Sequence, residues 1–370
     1  MLCRHDPALL NMAVYISVAL WYRPKAEFVR SMRLAMMIGG QEASMSYSQE
    51  ISRECKGVFL FMVDQSRSMN KPFGPGRSGK MVSRAEVVAN ALNGTLEELV
   101  NRCMRDEGVR DYFDIGIIGY GRTNRPEFCW RGDLAGRRLV PIPEVAAKAE
   151  MEDVEIETEM RGQVLIERIT LSRWIDPVGV DSTPMNAAFS LAHATLAEWV
   201  RDNPDSFPPM VINITDGMAN DVNSDAELLA TARKLTGLKT SDGNVLLINC
   251  HIAGGTDASV VFPASVAELP RDPYAKLLFE MSSELSNRHR AVICEVFDRD
   301  PGRTPSIKGM AFNADAVALL KLLDIGTRQA IGLSAAMETF TPPGIDTGAM
   351  IEESFVLEEP SVRIEYGDQG

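Results

Sequence analysis

The chain alternates between short apolar segments and longer segments whose apolar residues recur at helical spacing. Residues 58–63 are continuously apolar and favour β structure, which is typical of a strand buried on both faces. Residues 210–214 are apolar except for Asn213 and predict a second buried strand. Because strands that alternate with helices indicate β-α-β units, we predict an α/β fold: a Rossmann-like, doubly wound, mostly parallel sheet with helices on both faces.

The same patterns predict the remaining elements. Further strands are expected at 112–118, 126–130, 245–252 and 291–297. Helices are expected at 83–106, 185–200, 226–235, 275–285 and 314–323. The alternation of strands and helices is interrupted at 134–180, where an acidic stretch precedes a strand-like segment at 163–171. We therefore predict a β-rich insertion with one or two hairpins there.

The two ends of the chain differ from its centre. We predict an N-terminal extension at 1–55, a main domain at 56–325 and an acidic tail at 326–370. The apolar stretch at 8–20 is shorter than the ~20 residues of a spanning helix. Basic residues follow it instead of a cleavage site, so we expect a cytoplasmic protein without a membrane partner. A peripheral helix, or translation that begins at Met45, would explain this stretch.

Charge narrows the range of partners. The 370 residues include 38 Lys and Arg against 51 Asp and Glu, for a net charge of −13. Duplex nucleic acid and anionic lipid are therefore disfavoured as main partners, since both require clustered positive charge. The six cysteines are scattered without a C-x-x-C pair, which favours reduced thiols over a zinc site or a disulfide framework.

Small oxygen-bearing residues lie at or near the predicted carboxyl ends of strands, where α/β sheets collect ligands. They are found at 64–68, 181–185 and 215–217. Mg²⁺ prefers oxygen ligands in octahedral geometry. We therefore predict that three hydroxyls coordinate Mg²⁺, with Mn²⁺ as an alternative, and that two carboxylates hold its bound waters. The hydroxyls are those of Ser66, Ser68 and Thr183, and the carboxylates are those of Asp64 and Asp216.

This pattern resembles the metal-ion-dependent adhesion site of the von Willebrand factor A (VWA) domain family, with its D-x-S-x-S, its single Thr and its late Asp-Gly. Asp64, Ser66 and Ser68 match the first part, Thr183 the second and Asp216 the third. The likeness covers about 56–324. The segment before Thr183 is longer than the family usually has, and the two terminal segments have no counterpart in the family.

The resemblance implies a non-enzymatic module that binds an acidic residue of a partner protein through the metal. Stand-alone bacterial members act with AAA+ ATPases, or alongside protein kinases and phosphatases in stress systems, and the chain resembles that intracellular type. The alternative is a Mg²⁺-dependent phosphatase or phosphotransferase of the haloacid-dehalogenase type. That chemistry uses a second carboxylate two residues after the nucleophile, where this chain has Ser66.

Several of these residues also have purely structural explanations. Hydroxyls cap helices, so Thr183 could be the N-cap before Pro184. Asp221 is either an additional acid near the site or an exposed turn residue, and His251 is interpreted as a satisfied edge residue. Residues 74–80 approach a phosphate-binding loop, but Met81 replaces the Ser or Thr that should follow, so 71–80 is interpreted as a flexible loop with solvated basic residues that include Arg84.

Overall fold

The computed structural model describes residues 47, 49, 51–75, 81–123, 125–160, 163–253, 259–297, 299–302, 304 and 306–328. The chain divides into two units, Met1–Gly332 and Leu333–Gly370. The second unit lies outside the described residues, as do nearly all of the predicted N-terminal extension and most of the predicted acidic tail.

Eight strands form one main sheet, and the others form small two-stranded sheets. In chain order the described strands are β1 (Gly57–Asp64), β2 (Pro72–Pro75), β3 (Met81–Ser83), β4 (Met104–Arg105), β5 (Gly108–Val109), β6 (Phe113–Tyr120), β7 (Glu127–Phe128), β8 (Val140–Pro141), β9 (Glu150–Met160), β10 (Gln163–Arg173), β11 (Met210–Thr215), β12 (Lys239–Thr240), β13 (Gly243–Asn244), β14 (Leu246–Ile252), β15 (Val260–Val261) and β16 (Met310–Ala314). The main sheet runs β15-β16-β14-β11-β1-β6-β7, and β8 also pairs with β6.

The five central strands of this sheet, from β16 to β6, are all parallel to their neighbours. The outer strands β15, β7 and β8 are antiparallel. Helices cover both faces: α1 (Arg84–Cys103), α2 (Ile142–Ala147), α3 (Met185–Asp202), α4 (Asp225–Thr236), α5 (Pro273–Met281), α6 (Asn287–Val296) and α7 (Ala316–Arg328). The predicted α/β class, a mostly parallel doubly wound sheet with helices on both faces, is confirmed.

Strand β1 shows why the sequence pattern was informative. Alternate residues point to opposite faces of a strand, and here Phe59 and Phe61 enter one hydrophobic core while Leu60 and Met62 enter the other. The first core contains residues of α1, α2, α6 and α7, and the second contains residues of α3, α4 and α5. A strand covered on both faces has no polar side, which explains the unbroken apolar run.

Helix α1 begins at a well-defined cap. The Ser83 hydroxyl accepts a hydrogen bond from the backbone N–H of Glu86, and the Glu86 carboxylate accepts one from the backbone N–H of Ser83. This capping box fixes where the helix starts. It places Arg84 as the first helical residue, so the interpretation of Arg84 as part of a solvated loop is wrong.

The predicted β-rich insertion is confirmed and contains one long hairpin, β9–β10, together with the unpredicted helix α2. Asn93 of α1 binds the two residues that directly follow β10. Its side-chain oxygen accepts a hydrogen bond from the backbone N–H of Trp174 at 2.8 Å, and its amide donates to the carbonyl of Ile175 at 3.1 Å. The buried Asn93 thereby satisfies backbone groups where the chain leaves the insertion.

Two predicted elements are corrected. Residues 291–297 were predicted as a strand, but Asn287–Val296 is helix α6. The strand position beside β14 is filled by β16 instead, which was not predicted. A short apolar run does not distinguish a strand from a buried helical face. In addition, the predicted loop at 71–80 contains β2, which pairs with β3; the residues between them, 76–80, lie outside the described part.

Two further findings concern general properties of the described residues. The cysteines there are all free: Cys55, Cys103, Cys129, Cys250 and Cys294. Among these residues, no helix combines the length and the apolar character that crossing a membrane would require.

Candidate metal centre

The strand order reverses between β1 and β11, since the chain proceeds from β1 outwards to β6 on one side and later from β11 to β14 and β16 on the other. Ligands in open α/β sheets bind at such a reversal, outside the carboxyl ends of the strands. Asp64 is the last residue of β1, and Asp216 follows the last residue of β11. The fold therefore brings two distant acids to the place where a ligand is expected.

Asp64, at the carboxyl end of β1, is fully buried, with 0% of the residue exposed. One carboxylate oxygen accepts from the backbone N–H of Ser66 at 2.8 Å, and the other accepts from the Thr215 hydroxyl at 2.9 Å. Burial raises the pKa of Asp64 to about 6, and the nearby charge of Asp216 also raises it, although the hydrogen bonds from Ser66 and Thr215 act in the opposite direction. A nearby cation would stabilise the ionised form of this carboxyl.

The hydroxyls of Ser66 and Ser68 lie close together in the segment that directly follows Asp64. A short 3-10 helix, Arg67–Asn70, turns the chain so that the Ser66 and Ser68 hydroxyl oxygens lie 2.9 Å apart. The Ser68 hydroxyl donates to Asp216 Oδ1 at 2.6 Å. Ser66 precedes the 3-10 helix, but its side chain does not cap it. Capping therefore does not account for Ser66.

The candidate donors are all oxygen atoms, the ligand type that Mg²⁺ prefers. Neighbouring ligands of an octahedral ion with metal–oxygen distances near 2.0–2.1 Å are separated by about 2.9 Å. The Ser66 and Ser68 hydroxyls are hydrogen-bonded to each other at 2.9 Å, a separation that two neighbouring ligands of such an ion would also have. Among the described residues, no group of three His, Cys, Asp or Glu side chains forms a metal-binding cluster. The candidate set has only two carboxylates, and its remaining donors are hydroxyls.

Thr183 is brought to the same region by its backbone. Its segment forms a parallel bridge between Asp181 and Ser66, and the backbone N–H of Arg67 donates to the Asp181 carbonyl at 2.9 Å. On the other side, the N–H of Asn220 donates to the Thr183 carbonyl at 3.1 Å. The alternative that Thr183 is a helix N-cap is wrong, because Pro184 occupies that position before α3.

Gly121 allows these segments to meet. It directly follows β6 and has a φ of +123°. A Cβ atom at this position would lie 2.6 Å from the carbonyl oxygen of Ser182 and 2.7 Å from both the Gln65 carbonyl carbon and the Ser66 nitrogen. All three neighbours are backbone atoms, so only a glycine lets the three segments approach this closely.

Other polar residues near the site have structural partners. Asp221 accepts from the backbone N–H groups of Asn186 and Ala187 at 3.1 and 2.8 Å, so it caps α3. His251 stacks on Phe312 with ring centroids 4.4 Å apart and accepts from a backbone N–H at 3.3 Å. Burial lowers the pKa of His251. These contacts confirm that His251 is a satisfied residue, but the placement at an edge is wrong, because His251 lies inside β14 between β11 and β16.

Two contacts at the site were not predicted from the sequence. The Tyr274 hydroxyl donates to the carbonyl of Gly217, directly after Asp216. Arg84 forms an ion pair with Asp216 Oδ2 at 2.6 Å; its side chain is only 13% exposed and that of Asp216 is 0% exposed. No local pattern reveals either partner, because both contacts join residues far apart in the chain.

No protein-family model matches the chain, and no curated protein matches it. Among solved structures, it is similar to the vWF domain of the type V pili tip protein Mfa5 from Porphyromonas gingivalis, at 12% identity over 45% of this chain and 39% of that chain, with a TM-score of 0.24. It is also similar to the ArnB paralog VWA2 from Sulfolobus acidocaldarius, at 14% identity over 54% of this chain and 35% of that chain, with a TM-score of 0.25.

A third similar structure is an uncharacterized membrane spanning protein from Vibrio fischeri, at 13% identity over 66% of this chain and 98% of that chain, with a TM-score of 0.23. The chain spans less than half the length of the Mfa5 and VWA2 structures.

Proposed function

We propose that the chain is a VWA-type interaction module that binds an acidic residue of a partner protein through a Mg²⁺ ion, without catalysis. The observation that carries the proposal is the convergence of Ser66, Ser68 and Asp216, with hydroxyl–hydroxyl and hydroxyl–carboxylate contacts of 2.9 and 2.6 Å. These donors come from adjacent parallel strands at the point where the strand order reverses.

Each residue has a role in this proposal. Ser66, Ser68 and Thr183 would coordinate the ion directly, and Asp64 and Asp216 would hold its bound waters; Mn²⁺ would fit the same oxygen donors. A divalent ion held mainly by neutral hydroxyls keeps much of its charge, so it attracts a carboxylate from outside. The chain's own residues hold the donors in place, since both Asp64 oxygens are engaged by Ser66 and Thr215.

The surroundings of the site also favour a protein partner. Two large apolar side chains are exposed on segments next to the site: Met218 is 56% exposed and Val180 50%. Met218 lies two residues after Asp216, and the backbone N–H of Val180 donates to the Gln65 carbonyl at 2.8 Å. We call these two residues the apolar rim. An acidic residue flanked by apolar side chains matches this arrangement.

The buried position of Asp64 disfavours the phosphatase alternative. A nucleophilic carboxylate must present an oxygen to the substrate, whereas the buried Asp64 is held by one internal hydrogen bond to each oxygen; these bonds leave a second lone pair on each oxygen for a metal-bound water. We further propose that the module acts in the cytoplasm of a bacterium, within a multiprotein or stress-related system. An AAA+ ATPase, a protein kinase or a phosphatase would be its partner there.

Metal binding tests the proposal directly. We expect isothermal titration with MgCl₂ and MnCl₂ to show binding to the unmodified protein. Asp64→Asn should weaken it about 10–100-fold, because a carboxylate that orients a metal's ligands contributes on this scale. Asp181→Asn is the matched control, since it removes an exposed acid from the neighbouring segment. The proposal fails if neither metal binds, or if Asp64→Asn and Asp181→Asn behave alike.

Partner chemistry is tested with a random peptide library. The immobilised protein should select peptides in Mg²⁺ that are released by EDTA and that share an Asp or Glu. Changing that acid to its amide should abolish binding. Peptides that are retained in EDTA, or that lack a common acid, would contradict carboxylate capture through the metal.

The apolar rim gives a separate expectation. Met218→Ser should weaken the selected peptides about fivefold, since partial burial of a methionine side chain contributes about 1 kcal/mol. Mg²⁺ affinity should stay unchanged. Met104→Ser is the control: Met104 is 47% exposed but follows the far end of α1, about 30 Å from Arg84. If Met218→Ser and Met104→Ser change the peptide affinity equally in the same titration, the apolar rim is not part of the binding surface.

A further inference from the structure

Arg84 forms the most buried ion pair at the candidate site. Its guanidinium lies 2.6 Å from Asp216 Oδ2, while Oδ1 of the same carboxylate accepts from Ser68. Both oxygens of a proposed water-holding carboxylate are therefore engaged by the protein. In an ion pair shielded from water, removal of one partner leaves an uncompensated charge, which is strongly destabilising.

The position of Arg84 is fixed by the fold. The capping box of Ser83 and Glu86 sets the start of α1, and the backbone N–H of Arg84 donates to the Lys71 carbonyl at 3.1 Å. Arg84 thus begins the helix that follows the D-x-S-x-S segment. An arginine keeps its charge at all relevant pH values, so this site contains a permanent positive charge next to one of its two acids.

We propose that Arg84 is a built-in competitor of the metal: its guanidinium neutralises Asp216 in the metal-free protein and lowers the affinity of the site for Mg²⁺. This inference rests on the proposed function. Two carboxylates and one guanidinium give the site a net charge of −1 instead of −2, and like charges repel at short range in a region screened from water. Whether the site holds Mg²⁺ then depends on the concentration of free Mg²⁺ and on a carboxylate that the partner supplies.

The test compares Mg²⁺ titrations of the unmodified full chain with those of three variants. Arg84→Gln should bind Mg²⁺ about tenfold more tightly, because the competing charge is gone. Arg84→Lys retains the charge and should stay close to the unmodified protein. Arg67→Gln is the control for general charge effects, since Arg67 is exposed, lies between Ser66 and Ser68 and contacts the Val180 carbonyl instead of a carboxylate.

Thermal melting supplies a second readout. In EDTA, Arg84→Gln should melt below the unmodified protein, because Asp216 loses its partner. Added Mg²⁺ should raise the melting temperature of Arg84→Gln more than that of the unmodified protein, since the stabilisation by a ligand grows with the logarithm of its concentration relative to Kd.

The outcomes separate the two proposals. Tighter Mg²⁺ binding by Arg84→Gln, with a larger Mg²⁺-induced rise in melting temperature, supports the competitor role. Equal Mg²⁺ affinity of Arg84→Gln, Arg67→Gln and the unmodified protein overturns that role and leaves the metal-dependent function standing. Failure of every protein to bind Mg²⁺ or Mn²⁺ overturns both proposals.

Discussion

Gly121→Ala is expected to lower the free energy of unfolding by about 3 kcal/mol and to abolish Mg²⁺ binding at the candidate site. The added Cβ would lie 2.6–2.7 Å from backbone atoms of Ser182, Gln65 and Ser66. Backbone atoms cannot rotate away as a flexible side chain does, so the segments must separate. Overpacking of this kind costs about 1–3 kcal/mol, and a strained backbone conformation adds a similar amount.

Gly108→Ala separates these two contributions. Gly108 has a φ of +109°, close to the +123° of Gly121, but a Cβ there would meet no atom within 4 Å. It should therefore show only the backbone cost, about 1 kcal/mol. Urea denaturation measures both free energies, and calorimetric titration measures Mg²⁺ binding. If the two variants lose equal stability, close packing of the three segments at Gly121 is not what makes the glycine necessary.

His289 should make the protein sensitive to acid. It is 1% exposed; its Nδ1 lies 2.7 Å from the Ser286 hydroxyl, and its Nε2 is buried without a hydrogen-bond partner among the described residues. Burial, with a smaller effect from the positive charge of Arg288, lowers the pKa of His289 from 6.5 to about 4. Between those pH values the unfolded chain binds the proton and the folded chain does not. The contribution of His289 to stability is therefore present above pH 6.5 and is lost as the pH falls towards 4.

The expected loss is about 3 kcal/mol, since each unit of pKa shift corresponds to about 1.4 kcal/mol. Asp64 acts in the opposite direction: its pKa is raised to about 6, so its proton favours the folded state in the same pH range. The unmodified protein alone therefore does not isolate His289. The measurement is the difference in unfolding free energy between the unmodified protein and His289→Gln, at pH 7 and at pH 4.

That difference should shift by about 3 kcal/mol in favour of His289→Gln at the lower pH. Repeating the comparison in an Asp64→Asn background removes the opposing titration and should leave the shift unchanged. A difference that is the same at both pH values would show that His289 is protonated equally well in the folded and unfolded chains.

Local sequence patterns were sufficient to predict the central strands of the fold. The apolar runs of β1 and of β11, the latter interrupted only by Asn213, revealed strands that are covered on both faces, and this in turn located the carboxyl ends where Asp64 and Asp216 lie. The two serines of the first segment share one short turn, so their proximity follows from spacing alone. Burial and spacing are properties of short segments, and a sequence displays them directly.

Long-range pairing could not be predicted in this way. Helix α6 was mistaken for a strand because its short apolar run carries no information about the neighbour it packs against. The pairing of Arg84 with Asp216 joins residues 132 positions apart. Likewise, the need for Gly121 depends on two other segments that arrive from elsewhere in the chain. These features arise from the tertiary fold, and they include the ion pair that would govern the metal.

The hairpin β9–β10 has a consequence for how copies of the protein meet. Each strand has 11 residues and, within the described part of the chain, pairs along its whole length only with the other, so each leaves an outer row of backbone groups that another strand could join. Six of the 11 residues of β9 are acidic. Two molecules that approached along this strand would bring their negative charges together, so the repulsion between them would oppose pairing along that edge, and most strongly in dilute salt.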